Sequence, residues 1–95
     1  MMPACRLGDT GMGHGCFPST NTTSASSNVI INGLGACRIS DSLAPHGCPD
    51  VPPHGRNIAS GSSTVMINGL GSARVLDSIS CGGFMIEGSP DVLAG

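Results

Sequence analysis

The chain has 95 residues and a formal net charge of −2, which bounds it to a single small domain, residues 1–95. Its only cations are Arg6, Arg38, Arg56 and Arg74, scattered and without a lysine, which excludes a nucleic-acid footprint. It has no Trp or Tyr, two Phe and 15 Gly, so its core is thin and needs a staple.

The head, MMPACRLGD, lacks the charged region and apolar run of a secretory signal, and no later run is long enough to span a membrane. Synthesis in the cytoplasm and export by another route are therefore expected. Within the head, ACRLGDT leads into the loop DTGMGHGC (Asp9–Cys16). Next comes VIINGLGACRISDS (Val29–Ser42), in which Val29-Ile30-Ile31 predicts a short strand and Asn32-Gly33 a hairpin turn. The return strand is expected over Ala36–Ile39. The loop DSLAPHGC follows, extended by DVPPHGR, and both read as Pro- and Gly-rich connections. VMINGLGSARVLDS (Val65–Ser78) then repeats the first hairpin without a gap, with its return strand expected over Ser72–Leu76. DSISCGG comes next, and the tail GSPDVLAG matches GSSTVMING at Gly61–Gly69.

Head and tail are two halves of a third repeat. The chain therefore reads as an all-β ring of three pseudo-threefold hairpin units, cut open inside one unit, with no substantial helix. Each unit carries Arg-x-x-Asp: Arg6/Asp9, Arg38/Asp41 and Arg74/Asp77. Because this pair recurs in every unit, it reads as a structural clip and not as a pair of catalytic acids.

Aligning the loops after the aspartates puts His14, His46 and Cys81 in equivalent places. If the units surround an axis, these side chains meet on it. His54, in the one extended loop, supplies a fourth donor. Three imidazoles and a thiolate suit one structural zinc, with no position left open; ligand type alone leaves iron possible as well. Cys5 and Cys37 are equivalent to Ala73 and therefore read as small core residues. Cys16 and Cys48 are equivalent to Gly83. They are free thiols, a disulfide near the axis, or ligands in place of a histidine.

The units resemble PAAR-repeat proteins. The ING turns (Ile31–Gly33, Ile67–Gly69), Arg-x-x-Asp, HGC or CGG, and GSP (Gly88–Pro90) carry the match. The signature motif itself stands as Leu34-Gly35-Ala36-Cys37-Arg38 and Leu70-Gly71-Ser72-Ala73-Arg74, without its proline. The resemblance implies a cone with zinc near its vertex. It also implies a base that caps a trimeric β-helical spike, of the VgrG type in type VI secretion or of a contractile phage tail. One chain per trimer would sharpen the spike for membrane piercing and be ejected with it, and could carry effector cargo. Apolar strand residues Val29, Ile31, Val65, Ile67, Val92 and Leu93 are the expected spike contacts, with the choice between alternate strand faces left open. Such a tip is not an enzyme. The competing readings are a small zinc-binding or thiol-redox module, and a minimal metalloenzyme with water on the zinc.

Overall fold

The computed structural model describes residues 1–95 and contains no helix. Its strands form five antiparallel pairs. Three pairs are two-residue hairpin arms: β4 (Ile30–Ile31) with β5 (Leu34–Gly35), β8 (Met66–Ile67) with β9 (Leu70–Gly71), and β1 (Met2–Pro3) with β10 (Leu93–Ala94). In the first two, Asn32 and Asn68 adopt φ 54° and the glycines that follow adopt 79° and 81°. These left-handed pairs make the hairpin turns that the Asn-Gly dipeptides predict. In the third pair the two chain ends meet, with Met2 opposite Ala94, and the divided repeat is completed. The molecule measures 40 × 23 × 23 Å, one long axis with two equal short ones.

The threefold relation is carried by bonds between units. Cys5 donates its N–H to Ala73 O (2.9 Å), Ala73 to Cys37 O (3.0 Å), and Cys37 to Cys5 O (3.0 Å). This closed backbone ring leaves all three side chains without solvent exposure. Outside it, each Arg-x-x-Asp forms a clip. Arg6, Arg38 and Arg74 each contact their aspartate at 2.9 Å. The same aspartates also accept the arginine's own backbone N–H. The remaining guanidinium nitrogen of each reaches the next unit: Arg6 to Asn32 Oδ1, Arg38 to Asn68 Oδ1, and Arg74 to the carbonyl of Gly95, which holds the asparagine's place. Buried Ser26, Ser62 and Ser89 tie the same three places from the other side.

The return segments differ from expectation. The paired strands end at Gly35 and Gly71, with one further backbone bond to the outgoing arm in each unit, from Ala36 to Val29 O and from Ser72 to Val65 O. Beyond that point the chain bridges to other units, with Arg6 opposite Ala36, Arg38 opposite Ser72, and Ala4 opposite Arg74. The backbone must leave its own hairpin to complete the ring. The extended loop also differs. It is the longest hairpin in the molecule, β6 (Ser42–Cys48) with β7 (Val51–Asn57), and two irregularities interrupt its register. Its prolines read as loop in sequence but are tolerated because this ladder is bulged and short of regular bonds. A smaller hairpin, β2 (Thr10–Gly11) with β3 (Thr20–Asn21), stands beside it.

Ile31 and Ile67, two of the expected spike contacts, lie in the core. They are 9% and 6% exposed and pack with Ala4, Ala36 and Ala94. Alternation across the arms turns Ile30 and Met66 outward in their place, at 56% and 59% exposure. A second cluster, Cys5, Cys37, Leu43, Ile58, Ala73, Ile79 and Met85, fills the next layer. Burial pushes the Cys37 thiol up to about 11, and burial followed by Cys37 itself raises Cys5 further, so both stay protonated and unreactive.

Urea unfolding should show Cys37→Ala costing about 1 kcal/mol, because Ala73 already occupies the equivalent place. Cys37→Leu should cost about 1–3 kcal/mol more, since the ring has no room for added methylenes. Equal stability of the two variants would contradict the axial packing.

Candidate metal centre

Four side chains converge from three loops. The donor atoms of His14, His46, His54 and Cys81 all lie within 4.8 Å of one another. Tetrahedral coordination at ordinary zinc–nitrogen and zinc–sulfur bond lengths requires donor separations of roughly 3.3–3.6 Å. His46 and His54 face each other across the β6–β7 ladder, with their Nε2 atoms 2.6 Å apart. Cys81 Sγ lies 3.7 Å from His46 Nε2. His14 arrives on the turn after β2. Cys81 begins a turn through Gly82 and Gly83, where φ values of 107° and 88° favour glycine.

The donor set fits a metal ion on two observations of this structure. The Nε2 atom of His14 is buried with no hydrogen-bond partner, and Nε2 lone pairs are aimed into one small space. A bound cation satisfies both. His46, 3% exposed, has its other ring nitrogen 2.8 Å from Pro18 O. An Nδ1–H donated there leaves Nε2 free to bind metal, a common arrangement for ligating histidines. Loss of solvation, then electrostatic opposition from neighbouring His46, His14 and Arg56, holds His54 below the usual imidazole range. Three imidazoles and a thiolate select a borderline or soft transition metal and leave magnesium and calcium disfavoured.

Sequence reasoning missed three contributors. Phe17 lies against all three imidazoles, with ring centroids 5.1 Å from His14, 4.9 Å from His46 and 4.6 Å from His54. Phe17 is one of two Phe in a chain without Trp or Tyr and follows His14 by three residues, which was the available signal. The second is Pro18, through its carbonyl. The third is Arg56, 1% exposed and on the same side of β7 as His54. Arg56 donates to Thr20 Oγ1 at 2.7 Å and to the carbonyl of Met12, with Gly11 O at the edge of reach at 3.5 Å. A buried cation held by neutral acceptors ties the His14 hairpin to the His54 strand.

Cys16 and Cys48 form a disulfide with their Cα atoms 5.8 Å apart. Neither is a metal ligand in this state, which resolves the three open possibilities. Their equivalent, Gly83, has no room for a side chain, because a Cβ there would meet Met12 O at 2.7 Å. Two units can therefore carry the pair and the third cannot.

A family model described as PAAR motif matches residues 12–87. No curated protein matches the chain.

Removing a donor should weaken metal binding. Cys81→Ser is expected to lower affinity for a divalent transition metal at least tenfold by competition with a chromogenic chelator. Acid should release the ion as well. The depressed pKa of His54 means its neutral ring favours the folded state above the ordinary value of about 6.5, and that contribution fades as pH falls below it. Because the shift keeps the His54 ring neutral below about pH 6.5, metal content by elemental analysis should fall only in more acid solution; retention unchanged at about pH 4 would rule out the imidazole set.

Proposed function

The chain belongs to the PAAR-motif family, and on that premise we propose that it caps the end of a trimeric β-helical spike, one chain per trimer. One observation carries the reading. The three hairpin arms present an apolar surface repeated around a threefold axis. Val29, Val65 and Val92 form one equivalent set, and Ile30, Met66 and Leu93 another. Leu34 and Leu70 add a pair from two of the arms, and all eight side chains are 36–59% exposed. A monomer with this symmetry meets a trimer's end without mismatch. An exposed apolar patch on so small a domain marks an interaction site. Ile30 and Met66 replace Ile31 and Ile67 as contacts.

The His14, His46, His54 and Cys81 centre then holds one structural zinc near the opposite, membrane-facing end. No ligand position is left for substrate, so the tip acts mechanically and not as an enzyme. Its small, staple-rested core suits a part that must stay folded under force. No helix is long and apolar enough to cross a membrane. The tip is made in the cytoplasm, travels on the spike by puncture, and is ejected into the target cell, with effector cargo as a further passenger.

Elemental analysis should find about one zinc per chain at neutral pH. Mixed with the C-terminal β-helix of a VgrG-type spike, the protein should form a complex of one chain per trimer. The combined change Ile30→Ser, Met66→Ser and Leu93→Ser should weaken it at least tenfold, about 1.4 kcal/mol. The unfolding midpoint should hardly move, because these side chains are outside the core. Three chains per trimer, or unaltered affinity in the triple variant, would sink the proposal.

A further inference from the structure

The segment Cys16-Phe17-Pro18 makes three separate attachments over the metal centre. Cys16 is joined to Cys48, at the end of β6 and two residues beyond His46. Phe17 covers the three imidazoles. Pro18 accepts the His46 Nδ1 bond. Paired backbone bonds between His14 and Phe17, 3.1 and 2.9 Å, close the turn that presents all three residues. The segment touches every histidine of the site, and its only covalent link to the rest of the molecule, apart from the chain itself, is the disulfide. Cys16 is exposed and Cys48 half-buried, so a reductant can reach the bond.

We propose that this segment is a clamp whose disulfide governs how readily the metal leaves. The proposal rests on the metal-centre reading above. With the bond intact, Phe17 excludes water from the imidazoles and Pro18 holds His46 in its binding orientation. With the bond broken, the turn keeps its own backbone bonds to His14 but is held against the β6–β7 hairpin only by the Pro18–His46 hydrogen bond and the Phe17 ring contacts, so the His46 ring gains freedom, and water and competing ligands reach the donors. Opening by a phosphine balances as follows. The phosphine attacks one sulfur and the S–S bond breaks. Water then takes the phosphorus, giving a phosphine oxide and two thiols. Two electrons pass from phosphorus to the sulfur pair. Cys81 lies outside the clamp, because Gly83 stands where its unit would need a cysteine, so the thiolate donor is unchanged.

The test loads the oxidised protein with zinc and mixes it with excess chromogenic chelator. The measurement is repeated after treatment with tris(2-carboxyethyl)phosphine and desalting, and with Cys16→Ser and Cys48→Ser. Zinc release should be at least tenfold faster after reduction. Both variants should match the reduced protein and ignore the phosphine. Equal release rates, with one zinc bound in both redox states, would overturn the clamp and leave the metal centre standing. No zinc bound in either state would overturn the metal-centre reading and the clamp with it. Cobalt substitution supplies a second check. Thiolate-to-metal absorption should stay that of one sulfur in both states; a gain on reduction would mean Cys16 or Cys48 had replaced a histidine, which also overturns the clamp.

Discussion

Three backbone hydrogen bonds, running Cys5 to Ala73 to Cys37 and back to Cys5, are the constraint from which the rest of the structure follows. A closed ring of this kind brings three chain segments within bonding distance of one axis. Side chains there must be small, which is why the position takes Cys, Cys and Ala. Each segment must also leave its own hairpin to reach the ring, so the arms stay two residues long and the return segments bond to neighbouring units. The domain lacks the bulk for a conventional core, and its cohesion comes from this symmetry of short bonds.

The ring also fixes what lies on either side of it. On one side the clips of Arg6, Arg38 and Arg74 reach across to the next unit's turn, so each unit orients the next. Bidentate guanidinium–carboxylate contacts hold a defined geometry, which a lysine could not reproduce. The equivalence is strong enough that the carbonyl of Gly95 stands in for an asparagine side chain. The three arms thereby present like surfaces in like orientation, the requirement for meeting a threefold partner. On the other side the units diverge. The first sends a tight turn with His14, the second a seven-residue ladder with His46 and His54, and the third a glycine turn with Cys81. Symmetry brings the loops together, and asymmetry supplies four different donors from three units.

Charge adds a further condition at that end. Arg56, two residues beyond His54, is buried with no carboxylate partner; the Thr20 hydroxyl and main-chain carbonyls replace the solvation of its two terminal nitrogens, and its Nε has no partner. Burial of an uncompensated cation is costly unless such acceptors are fixed in place. Gly11 lets the core side chains close on the backbone beside it, since a Cβ there would lie 2.4 Å from Leu43 Cδ2 and 2.7 Å from Ile79 Cδ1. Close backbone packing, a buried arginine and Phe17 together give the donor cluster a rigid surround.

Much of this was legible in the chain itself. Gapless repetition of Val29–Ser42 at Val65–Ser78 revealed the units, Asn-Gly marked the turns, and the matching head and tail showed where the ring closes. Aligning the loops brought His14, His46 and Cys81 to one place, because equivalent positions in a ring are equidistant from its axis. What the alignment could not contain is anything that breaks the repeat or depends on contact between loops. The β6–β7 ladder was hidden by its prolines, whose exclusion from sheets weakens where a ladder is bulged. The outward identity of Ile30 and Met66 depended on where pairing stops, since one residue of register reverses a strand's faces. The Cys16–Cys48 bond, Phe17 over the imidazoles and Arg56 under them are meetings of segments distant in sequence. Repetition encodes a local structure each time it occurs; the contacts made where its copies converge exist only once the ring has closed.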